Sequence, residues 1–294
     1  MKDQFTLFAE EKISVPGYEN WLLVDGNNLM NRCYYATSAS LSDDVVQPTN
    51  ACSGFVKACL AYKDKFQANI VVFFDEGKGF RKRLYPPYKE GRSETPKHLK
   101  TQFPIIKDLL DWANIPYFWS EQVEADDLIS SACNSLGGHK YVVSNDKDLL
   151  QVLSEDVSII VRRGKNDVIM TPELFREEWE GLEPRQIVDF KALAGDSSDN
   201  LTGVAGIGDK GALKLIKHFQ YIEQITVPFP SELKRYEKYF NGEGVKVAAF
   251  FKKLTTLVSS TPITLNKYDV NIERLINRCQ YYDIKSLVTQ LMKR

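Results

Sequence analysis

Short runs of apolar residues alternate with longer stretches of helical spacing in the first part of the chain. The short runs predict β-strands, because brief apolar segments between turn signals are typical of strands buried on both faces. The predicted strands are 21–24, 70–74, 117–119, 141–143 and 157–161. Apolar residues three and four positions apart predict helices at 50–66, 96–112 and 124–136. This alternation predicts an α/β fold, with a mostly parallel central sheet flanked by helices.

The pattern changes near residue 180, after which no further strand signals occur. Helices are predicted at 184–194, at 210–219 and in the segments beyond 245. The first residues show no periodicity and contain Pro16-Gly17. We therefore predict three parts of the chain: an N-terminal extension (1–19), an α/β core (20–180) and a helical region (181–294).

The composition is that of an ordinary globular protein, with 43% hydrophobic and 26% charged residues in a chain of 294. The longest apolar runs are too short to span a bilayer. The segment Met1–Lys12 lacks the basic start and apolar middle of a signal peptide, so we expect a cytoplasmic protein. Five scattered cysteines without a C-x-x-C pair predict reduced thiols rather than a disulfide framework or a zinc site.

Three of the predicted strands lead into an aspartate. Asp25 and Asp75 directly follow their strands, and Asp146 follows the strand 141–143 after Ser144-Asn145. In an open parallel sheet, ligands bind beyond the carboxyl ends of the strands. If these strands are neighbours, the three side chains converge on one crevice. Taken singly, each aspartate has a simpler explanation, because Asp often follows a strand as a turn residue.

Further acids stand at the starts of helices. Glu124, Asp126 and Asp127 open the predicted helix 124–136, and Asp148 lies two residues after Asp146, close to the end of the strand 141–143. Acids at helix N-termini contribute about 0.3–1 kcal/mol each, which explains one or two of them but not three so close together. Capping of the next helix is the alternative for the Asp146–Asp148 pair.

Asp196 and Asp199 lie three residues apart, where an Asx-type turn is the alternative. With them the candidate acids number nine, and so many like charges in one crevice would repel one another and raise their own pKa values. Hard oxygen ligands without His or Cys suit Mg²⁺ or Mn²⁺. Two such ions about 3.5–4 Å apart hydrolyse phosphodiesters, one generating hydroxide and both stabilising charge on the phosphate.

A glycine-rich loop precedes the predicted helix 210–219. Gly206, Gly208 and Gly211 formally satisfy G-x-G-x-x-G, but no strand precedes the loop, which argues against a dinucleotide-binding fold. A helix-hairpin-helix explains the pattern better. Its glycines let the backbone approach DNA, and the N-terminus of its second helix holds a phosphate. A simple glycine-rich connection between helices is the alternative.

The segment 78–107 carries nine Lys or Arg residues against two acids, although the net charge of the whole chain is −1. It also contains four aromatic residues: Phe80, Tyr85, Tyr88 and Phe103. Cations such as Arg81, Lys89 and Arg92 can grip phosphates while an aromatic ring stacks on a base. A solvated helix face is the alternative. An acidic metal site favours the binding interpretation, because a polyanionic substrate must be drawn past the negative charges.

Seven ordered motifs between about residues 20 and 220 resemble the 5′ nuclease domain of bacterial DNA polymerase I and the bacteriophage 5′ nucleases, which belong to the flap endonuclease family. The matching motifs are Leu-Val-Asp25-Gly, Val-Phe-Phe-Asp75, Tyr88-Lys89-Glu-Gly-Arg92, Val-Glu124-Ala-Asp126-Asp127, Asp146-Lys-Asp148-Leu-Leu, Lys191-Ala-Leu-Ala-Gly195-Asp196-Ser-Ser-Asp199-Asn and Gly203-Val-Ala-Gly-Ile-Gly-Asp-Lys210.

The resemblance implies a structure-specific 5′ nuclease, acting as 5′-3′ exonuclease and flap endonuclease on DNA in replication or repair. It implies a PIN-like core (20–180) with a helical arch at about 78–110, and a DNA-binding helical region (181–294) with the helix-hairpin-helix near 203–219. The expected substrates are DNA with 5′ flaps, forks or free 5′ ends, with RNA–DNA hybrids as a further substrate, and the expected state is a monomer.

The resemblance also assigns residues. Two or more Mg²⁺ or Mn²⁺ ions are held by Asp25, Asp75, Glu124, Asp126, Asp127, Asp146, Asp148, Asp196 and Asp199. The candidate catalytic residues are Lys89, Arg92 and Asp146. The candidate DNA contacts from the resemblance are Tyr88 (by stacking), Lys89, Arg92, Lys191, Gly203, Gly206, Gly208 and Lys210, and the charge of the basic segment adds Arg81. A potassium ion is expected at the glycine loop.

Two positions depart from the family pattern, Gln122 where Gly is common and Asn145 where a small or hydroxyl residue is frequent, but neither removes a metal-binding acid. The likeness is faint beyond residue 220. No polymerase domain follows in this sequence, which favours a stand-alone nuclease. Two alternatives stay open: a catalytically inactive structure-specific DNA-binding protein, and an RNA-directed nuclease such as one that removes RNA primers from RNA–DNA hybrids.

Overall fold

The computed structural model describes residues 20–37, 48–77, 79–240, 242–261, 263–266 and 268–294. The predicted N-terminal extension (1–19) lies outside them. The strands are β1 (Asn20–Asp25), β2 (Asn69–Asp75), β3 (Tyr117–Ser120), β4 (His139–Val143), β5 (Val157–Arg163) and β6 (Asn166–Met170).

Helices occupy most of the remaining described chain. In the first half they are α1 (Gly26–Thr37), α2 (Asn50–Phe66), α3 (Gly79–Leu84), α4 (Lys97–Lys100), α5 (Gln102–Trp112) and α6 (Ala125–Ser135). The later helices are α7 (Pro172–Glu178), α8 (Ile187–Ala194), α9 (Asp209–Phe219), α10 (Lys234–Glu237), α11 (Gly244–Thr255), α12 (Ile272–Tyr281) and α13 (Lys285–Leu291). No helix in the described ranges has the length and apolar content needed to cross a bilayer.

The strands form one sheet in the order β3-β2-β1-β4-β5-β6. The first five in this order are parallel, and β6 pairs antiparallel with β5. The predicted α/β fold with a mostly parallel sheet is therefore confirmed. The three strands that lead into Asp75, Asp25 and Asp146 are neighbours, so their carboxyl ends meet at one edge of the sheet.

Both faces of the sheet are buried under helices. Along β1, Trp21 and Leu23 belong to one apolar cluster, and Leu22 and Val24 belong to the other. The first cluster includes residues of α6, α8, α9 and α11, and the second includes residues of α1, α2, α5, α12 and α13. Because successive side chains on a strand point to opposite faces, a continuous apolar run is what a doubly covered strand requires.

Several local features differ from the sequence prediction, which did not include the helices α1 and α7. The helix predicted at 96–112 is divided into α4 and α5 around Thr101. Pro104 explains the division, since it has no N–H to bond the carbonyl of Lys100 and its ring crowds that carbonyl. The strand β6 was not predicted, because Asn166 and Asp167 remove the apolar signal from a strand that lies at the sheet edge.

The last two helices pack against the first part of the chain. Leu275 of α12 and Leu287 of α13 are buried in the same cluster as residues of α2 and α5. Arg278 of α12 pairs with Asp108 of α5, and the N–H of Asn271 donates to the carbonyl of Ala113 at 2.8 Å. The division at residue 180 thus remains a prediction, with α12 and α13 packed on the α/β core.

Candidate metal centre and nucleic-acid interface

The carboxyl ends of β1, β2 and β4 bring acidic side chains together. Asp25 is 5% exposed and accepts hydrogen bonds from the Ser144 hydroxyl at 2.7 Å and the Asn28 N–H at 3.0 Å. Asp75 accepts from the N–H of Ala125 at 2.7 Å, which links the end of β2 to the first turn of α6. The convergence predicted from the strand ends is therefore present in the fold.

Three of the acids meet closely enough to share one cation. One carboxylate oxygen each from Asp126, Asp146 and Asp148 lies within 4.8 Å of the others. Asp126 stands in the first turn of α6, and Asp146 caps the short helix Lys147–Val152 by accepting from the N–H of Asp148 at 2.9 Å. An all-oxygen donor set of this kind fits a hard divalent cation such as Mg²⁺ or Mn²⁺.

The pKa values of these acids show that their carboxylates repel one another. Burial, together with the charges of Asp75 and Asp146, raises the pKa of Asp25 to about 7. Burial likewise raises the pKa of Asp148 to about 7, and raises those of Asp75 and Asp126. Asp146 adds to the raised pKa of each of these four neighbours, so it stands at the centre of the repulsion. A bound cation would relieve that repulsion.

Asp196 and Asp199 are already paired with cations of the chain. Asp196 contacts the ammonium of Lys191 at 2.8 Å, and Asp199 contacts the guanidinium of Arg92 at 2.5 Å. Lys191 also pairs with Asp148, so one ammonium joins the Asp146–Asp148 motif to the Asp196–Asp199 motif. Burial alone would lower the pKa of Lys191, but the two carboxylates hold it above its usual range, so the group stays charged.

The carboxylate of Glu124 is also paired with side chains of the protein. It accepts from the ammonium of Lys89 at 2.5 Å and from the hydroxyl of Tyr88 at 3.0 Å. Lys89 adopts φ +55°, and its N–H donates to the carbonyl of Asp199 at 2.9 Å, which fixes its backbone between two acidic motifs. Tyr88 is 3% exposed. Its burial and its hydrogen bond favour a role in positioning Glu124 over the predicted stacking on a base.

Arg81 and Asp127 form a buried ion pair away from solvent. The guanidinium of Arg81 donates to both oxygens of Asp127, at 2.6 and 2.7 Å, and the side chains are 2% and 0% exposed. Asp127 also accepts from the N–H groups of Glu124 and Val258, so its oxygens have no room for a metal ion. These contacts favour a structural role for Asp127 and Arg81 over the predicted metal-binding and DNA-binding roles.

The glycines of the loop before α9 differ in whether the fold itself requires a residue without a side chain. Gly203 has φ +63°, and a Cβ there would lie 2.4 Å from the N of Gly195, so the fold itself requires glycine. Gly206 has φ +88° and packs against the ring of Tyr239. Gly208 is exposed in an ordinary extended conformation, and a Cβ there would meet nothing within 4 Å. Nothing inside the protein requires glycine at 208, which suits the close approach of an external backbone.

A cleft of about 500 Å³ joins the acids to the predicted substrate contacts. Asp146 and Asp196 line it together with Arg92 and Lys191. Its wall also includes Trp179 and Phe190, which were not predicted, along with the main chain and side chains of 195–198. The cleft therefore places Arg92 and Lys191 beside the carboxylates. A bound phosphate would take the place of the carboxylates that now pair with these two cations.

Several positioning residues were missed by the sequence reasoning. The amide oxygens of Asn27 and Asn28 accept from the N–H groups of Asp75 and Asn145 at 3.1 and 3.2 Å, so the start of α1 ties together the ends of β2 and β4. The hydroxyl of Ser144 joins Asp25 to the N–H of Asp146. These residues carry no charge and differ little from turn residues in sequence, so only the spatial arrangement identifies them.

Asp126 and Asp127 should respond differently to substitution by asparagine. Asp127→Asn removes the bidentate partner of the buried Arg81 and leaves only Glu124 as its counter-charge, so the free energy of unfolding should fall by about 3–5 kcal/mol, while the folded protein keeps its affinity for Mn²⁺. Asp126→Asn should lower Mn²⁺ affinity by more than about tenfold without destabilising the metal-free protein. Urea unfolding with chelator and Mn²⁺ calorimetry measure the two effects. Loss of Mn²⁺ binding in a stable Asp127→Asn protein would reverse the assignment.

The stability of the metal-free protein should fall as pH rises from about 4 to about 7. Over that interval the unfolded chain releases protons that Asp25 and Asp148, with pKa values raised from 3.8 to about 7, still hold in the folded state. Excess Mg²⁺ should remove most of the loss, because it stabilises the ionised form.

Urea unfolding at about pH 5 and pH 8, with chelator and with Mg²⁺, measures this. Asp25→Asn should flatten the pH dependence, which separates the acids from His139, whose lowered pKa acts in the opposite direction. A chelated wild-type protein that is as stable at pH 8 as at pH 5 would contradict the account.

Family models match nearly the whole described chain. A model described as the 5′-3′ exonuclease N-terminal resolvase-like domain matches residues 20–180. A second, described as the 5′-3′ exonuclease C-terminal SAM fold, matches residues 182–277.

Curated relatives agree with these models. The 5′-3′ exonuclease of Aquifex aeolicus is 33% identical over 284 residues, which cover 92% of this chain and 94% of the relative. The 5′-3′ exonuclease of Mycoplasmopsis pulmonis is 34% identical over 285 residues, covering 94% of each. DNA polymerase I of Bacillus subtilis is 38% identical over 252 residues, covering 83% of this chain. The chain spans only 28% of that relative's length.

A solved structure has the same fold. The D15 protein of phage T5, co-crystallised with metal ions, aligns with a TM-score of 0.67 at 23% identity, covering 93% of this chain and 98% of that one. The described sheet, the acids at its edge and both family models lead to one conclusion: the chain belongs to the 5′-3′ exonuclease family.

Proposed function

We propose that this protein is a structure-specific 5′ nuclease that hydrolyses DNA phosphodiester bonds at 5′ flaps, forks and free 5′ ends, as 5′-3′ exonuclease and flap endonuclease. The observation that carries the proposal is the group of Asp126, Asp146 and Asp148, whose carboxylate oxygens lie within 4.8 Å of one another beside a cation-lined cleft. Replication and repair are the processes that generate such DNA ends.

The acids divide into those that would hold divalent ions and those that serve the fold. Asp126, Asp146 and Asp148, with Asp25 and Asp75 beside them, form the main cation site. Asp196 and Asp199 form a second group, and Glu124 flanks the first; each of these three has a cation partner that a metal ion or substrate would displace. When bound, the ions supply positive charge against the phosphate oxygens and acidify the attacking water.

The cations of the chain orient the substrate. Lys89 and Arg92 follow one another closely in the segment 85–96, and both reach acids of the site. Arg92 has a 46% exposed side chain and would meet the phosphate first, whereas Lys191, at 7%, lies at the base of the cleft. Each would exchange a carboxylate for a phosphate oxygen, so positive charge stands where negative charge develops in the reaction. The segment of about 78–110 serves as the arch over single-stranded DNA.

The DNA duplex next to the reacting strand would lie against the glycine loop. Gly208 and Lys210 are exposed there, and Lys210 stands in the first turn of α9, where the N-terminal dipole favours a phosphate. The residues 181–294 thus serve as the DNA-binding region beside the core 20–180.

We further propose Mg²⁺ as the working ion and K⁺ as the ion bound at the glycine loop. We also propose that the protein is a monomer, that it accepts RNA–DNA hybrids as a further substrate, and that it acts in the cytoplasm of a bacterial or phage-infected cell.

Two other functions predict different behaviour of the same protein. A catalytically inactive DNA-binding protein would hold flap DNA without cutting it in Mg²⁺ or Mn²⁺. An RNA-directed nuclease would cut an RNA flap faster than a DNA flap of the same sequence. The glycine loop favours DNA, because A-form RNA presents its backbone in a different groove geometry.

Asp146→Asn should reduce cleavage of a 5′-flap DNA in Mg²⁺ by at least about a hundredfold, because it removes the acid at the centre of the cation site. Binding of the same DNA in Ca²⁺ should persist, since no predicted DNA contact is altered. Asp64→Asn, an exposed acid of α2 that pairs with Arg294, is the matched control and should cut like the wild type. Unchanged cleavage by Asp146→Asn would remove this residue from the site.

Lys89→Ala should slow the chemical step more than it weakens binding, because its ammonium is expected to meet the reacting phosphate. Single-turnover cleavage at saturating enzyme isolates the chemical step, and anisotropy in Ca²⁺ measures affinity. A roughly tenfold or larger loss of rate is expected, with less than about a threefold change in affinity. A loss confined to affinity would make Lys89 a binding residue only.

A further inference from the structure

A second open cavity, of about 600 Å³, lies between the glycine loop and the segment 235–239. The loop contributes Gly206, Gly208 and the first turn of α9, and the opposite wall comes from the end of α10 and the residues that follow it. This second wall lies beyond residue 220, where the sequence pattern singled out no individual residue. It is separate from the acidic cleft: of the residues lining the two cavities, only Asp209 belongs to both.

The cavity is positively charged. Its titratable side chains in the described chain, apart from tyrosines, are the cations Lys210, Arg235 and Lys238 and the single carboxylate of Asp209. All four residues are exposed. Three spread, exposed cations around an open cavity suit a run of phosphates better than one small anion, which would need buried donors.

Two tyrosines hold the second wall against the glycine loop. The ring of Tyr239 lies where a Cβ on Gly206 would be, at 2.4 Å, and the ring of Tyr236 approaches the Cβ position of Gly211 at 3.0 Å. Side chains larger than hydrogen at Gly206 would therefore push the two walls apart. The close packing fixes the distance between the loop and the segment 235–239.

The same rings carry the two cations of the second wall. The guanidinium of Arg235 lies 4.5 Å from the centroid of the Tyr236 ring and donates to its hydroxyl. The ammonium of Lys238 lies 4.9 Å from the centroid of the Tyr239 ring. Neither cation has a carboxylate partner among the ion pairs of the described residues. Cations placed on rings in this way are positioned without being neutralised.

The neighbouring lysine behaves differently. Lys234 belongs to the same helix, but its ammonium pairs with Glu237 at 2.8 Å. It carries the same charge one residue away from Arg235 and does not line the cavity. Lys234 is therefore a matched control for the effect of charge at this end of the molecule.

We propose that Arg235 and Lys238 form the second wall of a site that grips the sugar-phosphate backbone of duplex DNA, opposite Gly208 and Lys210. The proposal rests on the proposed function and extends its duplex contact beyond the helix-hairpin-helix to a separate segment of the chain. Contacts of this kind read the backbone and not the base sequence. The site therefore fixes where the duplex lies relative to the acidic cleft.

Anisotropy of a labelled blunt DNA duplex in Ca²⁺, titrated over a range of salt concentrations, tests the proposal. Arg235→Gln and Lys238→Gln, which keep most of the side-chain length, should each weaken binding about two- to fivefold at 0.1 M salt. Each should also reduce the slope of log affinity against log salt by about one, and the double variant by about two. Lys234→Gln should change neither quantity. Two duplexes of different sequence should give the same result.

Thermal unfolding of each variant shows that the fold is kept, which is expected because both side chains are exposed. A double variant with wild-type salt slope, or a Lys234→Gln variant with an equal loss, overturns the proposal. Cleavage of a 5′-flap DNA by the wild type in Mg²⁺ distinguishes failure of the second wall from failure of the proposed nuclease function. If the wild type cuts and the double variant keeps the full slope, only the second wall fails. If the wild type neither binds duplex nor cuts, the proposed function fails as well.

Discussion

Mutual repulsion between carboxylates is the constraint around which the site is arranged. Parallel pairing of β2, β1 and β4 places Asp75, Asp25 and the turn before Asp146 at one edge of the sheet. Burial and neighbouring charge raise the pKa values of Asp25 and Asp75, so holding the ionised acids together lowers the stability of the folded chain. A divalent cation would relieve this repulsion and stabilise the ionised acids. Such a cation in an open cleft can catalyse the hydrolysis of a phosphodiester bond.

Cationic side chains of the protein neutralise part of this repulsion. Lys191, Arg92 and Lys89 each pair with an acid of the site and each faces, or lies beside, the cleft that would admit a phosphate. These pairs hold the acids in place and keep the cations close to the substrate position. The buried pair of Arg81 and Asp127 is different, because it joins α3 to α6 beneath the site and stays away from solvent.

The sequence alone was sufficient for the grouping of Asp25, Asp75 and Asp146, because the geometry of a parallel sheet dictates where strand ends meet. It could not separate Asp126 from Asp127. Successive helical residues point about 100° apart, and only the packing of α3 shows that Arg81 covers the second of them. Ser144 and Asn28 escaped notice for a related reason, since uncharged hydrogen-bonding partners leave no pattern in a single chain.

Crystals grown with excess Mn²⁺, and measured at the manganese absorption edge, test the central claim most directly. The account predicts an anomalous peak among the carboxylates of Asp126, Asp146 and Asp148, with Mn–O distances of about 2.0–2.3 Å. The side chain of Asp127 should remain on Arg81 in the same crystal. An ordered site without manganese, or manganese bound only elsewhere on the protein, would contradict the account.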